Sequence, residues 1–96
     1  RPELAKIVEE VAAYFKHDPS DWRSGRRVDD ASRAVAAYLA RRCFGYQASQ
    51  VATMLGYRSH SGVSNAIARI ESDETDIKQT AEKIAQKLKH MGSERH

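Results

Sequence analysis

QASQVATMLGYRSHSGVSNAIARI, residues Gln47 to Ile70, is the stretch whose reading decides the fold. Ala48, Val51, Ala52 and Leu55 recur at helical spacing on one face of its first half, and Val63, Ala66, Ile67 and Ile70 do the same in its second. Gly56 stands between them. Glycine enters a left-handed conformation at little steric cost and so closes the first helix, while Ser59 or Ser61 supplies a hydroxyl to cap the open N–H groups of the next. Two short amphipathic helices joined at a glycine turn form a helix-turn-helix. Ser59, His60, Ser61, Ser64 and Asn65 crowd the solvent side of the second helix, and Arg58 sits just before it. These are the short hydrogen-bonding side chains that a recognition helix presents to base edges.

Outward from this pair, the rest of the chain also reads as helical. Pro2 suits a first turn, and Leu4, Ile7, Val8, Val11 and Phe15 mark an amphipathic helix to about Lys16. Asp18-Pro19 places an N-cap before a proline at the first helical position, which predicts one short turn, Pro19 to Trp22, with Trp22 as a hydrophobic plug beneath it. RSGRR, Arg23 to Arg27, is a basic loop around Gly25. Asp29 or Asp30 starts a third helix whose buried stripe is Ala31, Ala34, Val35, Tyr38 and Leu39, with Arg33, Arg41 and Arg42 outside it and Gly45 at its end. After Glu71, the cluster SDETD restarts a helix with the stripe Ile77, Ala81, Ile84 and Leu88, and Met91 is a further candidate. Lys83, Lys87 and Lys89 lie toward its C-terminal end, where cations complement the helix dipole. Alternation at period two is absent. The expectation is an all-α fold of five to six helices around the helix-turn-helix, in one domain spanning residues 1–96.

Charge is unevenly spread. The net charge is only +3, but from Trp22 to Ile70 eight arginines face two aspartates, a net +6, while the remaining residues carry eight bases and eleven acids, a net −3. A basic middle between near-neutral helices is the footprint of a phosphate-binding face, although the guanidinium fork also serves protein partners.

Other function classes find little support. No apolar run approaches ~18 residues and there is no signal-peptide pattern, so the chain is expected to be soluble and cytoplasmic, with no membrane partner. Cys43 is the one cysteine, which excludes an internal disulfide and a thiol pair for zinc, and at a helix end it reads as a partly buried small hydrophobe. His17, His60, His90 and His96 lie in unrelated segments without metal-ligand spacing. Ser59 and Ser61 flank His60, but adjacent helical residues point in different directions and no acid close in sequence orients the imidazole. GxxxxGK[ST] and GxGxxG are both missing. The expectation is a binding module with no catalytic residue, metal or cofactor of its own. The RPELAKI start, without an initiator methionine, suggests a piece of a longer parent chain with further domains.

GYRSHSGVSNAIARIE, Gly56 to Glu71, resembles the signature of domain IV of the bacterial replication initiator DnaA, roughly G-G-R-D-H-[ST]-T-V followed by a helix ending in a hydrophobic-Glu pair. Leu4 to Phe15 is similar to that family's connector helix, Arg23 to Arg27 falls where the family has a basic loop, and RAVAAYLARRC (33–43) and DIKQTAEKIAQKL (76–88) resemble its packing and closing helices. The resemblance implies a Trp-repressor-like all-helical domain that binds double-stranded DNA. It implies that the recognition helix, near 59–71, enters the major groove, where Arg58, Ser59, His60 and Ser61 match the signature's Arg, Asp, His and Ser/Thr. Ser64 and Asn65, one turn further on, are the next candidates for base contact. It also implies that an arginine of loop 23–27, Arg26 or Arg27, reaches into the adjacent minor groove.

Three positions depart from the family pattern: Ser59 stands for its Asp, Tyr57 for its second Gly and Gly62 for its second Thr. An Asp accepts from a cytosine amino group, whereas Ser donates or accepts and discriminates less. Gly62 costs roughly 1 kcal/mol against Ala inside a helix but permits close backbone approach to a phosphate. These changes suggest a relative of the initiator. Two alternatives stay open: a DNA-targeting C-terminal module of a transposase of the type associated with repetitive extragenic palindromes, or a helical protein-interaction domain that has lost DNA binding.

Overall fold

The computed structural model describes residues 2–23, 31–72 and 76–93. They form six α-helices: α1 (Leu4–Phe15), α2 (Pro19–Arg23), α3 (Ser32–Tyr38), α4 (Ala48–Leu55), α5 (His60–Glu71) and α6 (Ile77–Ser93). A π-helical segment, Leu39–Cys43, prolongs α3. Among the described residues there is no strand.

The apolar spacing of α1 buries Leu4, Ile7, Val8, Val11 and Ala12 on one face. Its end is closed by Lys16 in the left-handed region, φ 61°, and the His17 N–H donates to the Ala12 carbonyl at 2.8 Å. That six-to-one bond takes up an orphan carbonyl at the cost of a left-handed non-glycine residue. Asp18 caps α2 as expected, its carboxylate accepting from the Ser20 N–H at 2.9 Å, and Trp22 is fully buried as the plug beneath. Among the described residues the Trp22 indole N–H meets no acceptor.

α3 is the hub, packing against α1, α4, α5 and α6. Ala34, Val35, Ala36, Ala37, Leu39 and Ala40 are all buried, so it is covered on more than the single stripe its periodicity predicts. Alanines at 36 and 37 have side chains short enough for neighbouring backbones to close over them. The helix runs from Ser32 with Ala31 in the N-cap position. Asp29 and Asp30, where the sequence places its start, lie outside the described residues. At its other end the Phe44 N–H bonds back to the Leu39 carbonyl at 3.1 Å and the Tyr46 N–H to Ala40 at 2.9 Å. Gly45 follows at φ 72°, in the left-handed region that ends the helix.

Tyr46 ties this turn to the chain's beginning, its hydroxyl donating to the Pro2 carbonyl at 2.6 Å. Beyond it, Gln47 and Gln50 form a reciprocal capping box that opens α4. Gly56 closes α4 at φ 77°, ψ 21°, and the Tyr57 N–H reaches back to the Ala52 carbonyl at 2.9 Å. Val51, Ala52 and Leu55 of α4 and Val63, Ala66, Ile67 and Ile70 of α5 enter the common core, the faces their spacing predicts, while Ala48 stays half-buried. Ala81, Ile84, Ala85 and Leu88 of α6 close the core from the far side.

Candidate nucleic-acid interface

Burying one face of α5 dictates the other. With Val63, Ala66, Ile67 and Ile70 inward, residues 61, 64, 65 and 68 fall on the opposite side of a 3.6-residue helix, and Ser61, Ser64, Asn65 and Ala68 are exposed there as a ridge. His60, also exposed, stands one turn before Ser64 at the mouth of the same ridge. Arg58 and Ser59 are exposed on the approach. The structure thus brings six of the eight sequence-predicted residues together on one edge. Arg26 and Arg27, with most of the basic loop, lie outside the described residues.

The start of α5 resolves the choice between Ser59 and Ser61 as cap. Ser59 occupies the N-cap in extended backbone, φ −154°, ψ 168°, yet its hydroxyl makes no capping hydrogen bond, and Ser61 lies inside the helix. The Ser59 side chain therefore leaves the first-turn N–H groups of α5 uncapped. The Ser59 hydroxyl faces solvent with its donor and acceptor capacity unspent.

Two arginine clusters border the ridge. On one flank Arg33, Tyr57, Gly62, Asn65 and Arg69 line a cleft of about 240 Å³ between α3 and α5. The Arg33 guanidinium lies 4.5 Å from the Tyr57 ring centroid, a cation–π stack. Burial pushes the Tyr57 hydroxyl above its usual pKa, opposed by the charge of Arg33, by the side-chain hydrogen bond Arg33 donates to it and by Arg69, so the phenol stays neutral. On the other flank Arg41, Arg42, Ser64, Ala68 and Glu71 border a smaller groove of about 130 Å³. There Arg41 donates to the Tyr46 carbonyl at 2.8 Å and Arg42 pairs with Glu71 at 3.1 Å. Among the described residues no carboxylate pairs with Arg33, Arg58 or Arg69.

Sequence reasoning places Arg33 only outside a buried stripe, reads Arg69, like Arg41 and Arg42, as a non-specific phosphate contact or a solvated side chain, and treats Tyr57 only as a departure from a pattern. Their convergence depends on how α5 crosses α3, which no local periodicity encodes. The sequence did hold one signal, that Tyr57 and Gly62 depart together. A β-carbon on Gly62 would lie 3.1 Å from Tyr57 Cδ1, so the glycine answers to the tyrosine ring as well as to any ligand.

Little in the arrangement supports chemistry on a substrate. Cys43 is exposed, where its helix-end position predicts partial burial, and desolvation of its sulfur pushes the thiol pKa up, opposite to an activated thiolate. No three His, Cys, Asp or Glu side chains among the described residues are placed to hold a metal ion, and no helix is long and apolar enough to cross a membrane.

Comparison with curated proteins and with solved structures found no match. A family model described as "Bacterial dnaA protein helix-turn-helix" matches residues 4–70, from the first residue of α1 to the penultimate residue of α5, leaving α6 beyond the matched region. Most of the chain, including the α4–α5 pair and its exposed ridge, falls within that match. The chain therefore belongs to the bacterial DnaA helix-turn-helix family, whose members bind double-stranded DNA.

Proposed function

We propose that this chain binds duplex DNA sequence-specifically, as a replication-initiator-related domain, with α5 in the major groove and loop 23–27 in the adjacent minor groove. The observation that supports it most is the ridge of short polar side chains between arginine flanks. A major groove admits one helix, and its two walls are phosphate backbones. A helix whose exposed crest offers hydroxyl, imidazole and amide groups, with cations on both sides, suits that groove in shape and charge.

Within this reading His60, Ser59, Ser61, Ser64 and Asn65 contact bases or the phosphates beside them, and Arg58 a phosphate. Arg26 or Arg27 takes the minor groove. The N–H groups opening α5, which the Ser59 side chain does not cap, suit a phosphate oxygen, since a helix N-terminus carries the positive end of the dipole. Ser59 in place of the family's Asp means that the preferred site differs from the initiator's at the base read by that position.

Selection from randomised duplex DNA tests the proposal, followed by affinity measurements at two salt concentrations. The expected result is an enriched sequence whose affinity falls steeply with salt, with a log–log slope of about −0.9 per phosphate neutralised. Absence of binding at low salt would sink the reading. His60→Ala is expected to cost about 1–3 kcal/mol of discrimination at one base position. Uniform weakening across all sequences would show instead that His60 touches only the backbone.

A further inference from the structure

We infer that the cleft between α3 and the first turns of α5 is a phosphate-binding subsite in which Tyr57 positions Arg33, and that Gly62 makes room for this arrangement. The phosphate is one of the duplex backbone, so the inference rests on the DNA-binding reading of α5.

A bulky ring at Tyr57 and the lack of a side chain at Gly62 meet across the turn. The Tyr57 ring sits over Gly62, where a β-carbon would approach its Cδ1 to 3.1 Å, a tight contact that the ring would have to relieve by giving a few tenths of an ångström. The Arg33 guanidinium stacks on the same ring at 4.5 Å.

One donor of the Arg33 guanidinium is shared with the Tyr57 hydroxyl, and the contact with the ring consumes none of the others. The five N–H donors lie in the guanidinium plane, so an arginine held against an aromatic ring still offers its fork to an oxyanion. The ring also removes rotamer freedom that a free arginine would lose on binding, which is preorganisation. Arg69 contributes a second cation and Asn65 an amide, and among the described residues no acidic side chain lines the cleft. Two guanidinium groups, an amide donor and a neutral phenol around an open cleft of about 240 Å³ suit a tetrahedral phosphate. The cleft borders the flank of the recognition ridge, where the phosphate wall of a groove occupied by α5 would run. Tyr57 is thus a positioning residue: it acts on the phosphate through Arg33.

The test has two arms on the whole chain. In the first, inorganic phosphate is titrated and followed by amide NMR. The Gly62 and Asn65 signals are expected to shift saturably, to lose that response in Arg33→Gln, to keep it in Tyr57→Phe, where the ring is retained, and to respond weakly in Tyr57→Leu. In the second, binding to a random-sequence duplex is measured against salt. Arg33→Gln is expected to make the log–log slope shallower by about 0.9, equally for all sequences and at unchanged thermal stability. Should Tyr57→Leu unfold for lack of packing, Arg33→Gln and Tyr57→Phe carry the test. Duplex binding that persists with an unaltered slope in Arg33→Gln, with no phosphate response at Gly62 or Asn65, overturns the subsite and leaves the DNA reading standing. A saturable phosphate response in a chain that binds no duplex at any salt supports the subsite and overturns the DNA reading instead.

Discussion

The two flanks of α5 carry the same residue type and use it in opposite ways. On one, the Arg41 guanidinium is committed to the Tyr46 carbonyl and Arg42 to Glu71. On the other, Arg33 lies on an aromatic face and Arg69 is exposed, with no carboxylate paired to either among the described residues. Net charge counts all four alike. Their difference lies in what the fold brings within reach among the described residues: the Tyr46 carbonyl past the π-helical turn, a carboxylate at the end of α5, or the ring and hydroxyl of a tyrosine. A guanidinium bonded to a carbonyl or a carboxylate must give up that partner before it turns to a phosphate, whereas Arg33, with one donor on the Tyr57 hydroxyl, keeps the others in hand. The basic middle of the chain is therefore partly a structural device and partly a ligand-facing one.

The largest effect is expected from Arg41→Met. It leaves a half-buried carbonyl without its charged donor and should cost about 1.5–3 kcal/mol of stability, seen as a lower thermal midpoint, with duplex affinity well below that midpoint nearly unchanged. Weaker binding at an unchanged midpoint would break the contrast by placing Arg41 on the ligand side. Next comes the paired change Arg33→Gln with Arg69→Gln. Stability should stay within about 0.5 kcal/mol, while the salt dependence of duplex binding becomes shallower by about 0.9 for each phosphate that is no longer neutralised.

Glu71→Gln sharpens the contrast from the other flank by releasing Arg42. Both partners are about half exposed, so the pair contributes about 0–1 kcal/mol, and its loss should barely move the midpoint. Duplex binding should strengthen and grow steeper in salt. An unchanged slope would mean that Arg42 does not face the duplex even when free. The smallest effect is expected from Gly62→Ala. Alanine gains up to about 1 kcal/mol in helix propensity, but here its β-carbon meets the Tyr57 ring. In a Tyr57→Ala background the same change should be more favourable by about 0.5–1 kcal/mol, a coupling that thermal melts of the four proteins would reveal. Equal effects in both backgrounds would separate the two positions.

Much of the fold was readable from local pattern. The apolar spacing of α4 and α5, the glycine between them and the Asp18-Pro19 start of α2 each act over a few residues, so a linear sequence displays them. The exposed positions of His60, Ser61, Ser64 and Asn65 followed as the complement of a buried stripe. The hub role of α3 was less visible, since alanines at 36 and 37 signal burial only weakly until neighbouring helices close over them. Ser59 shows the limit of capping rules: the residue holds the N-cap backbone while its hydroxyl makes no capping bond.

By itself, then, the sequence determined the helices, the Asp18 cap and the glycine stops, the face α5 turns to the core and, through its motif, the family, because all of these rest on interactions between residues near each other along the chain. Tertiary structure alone decided which arginines remain available, that Tyr46 ties the α3–α4 turn to Pro2, and that Tyr57, Gly62 and Arg33 form one unit. Those pairings join positions 5 to 44 residues apart, and whether they meet depends on how packed helices cross. Helix crossing is set by the shape of the whole core, which no short window of sequence contains.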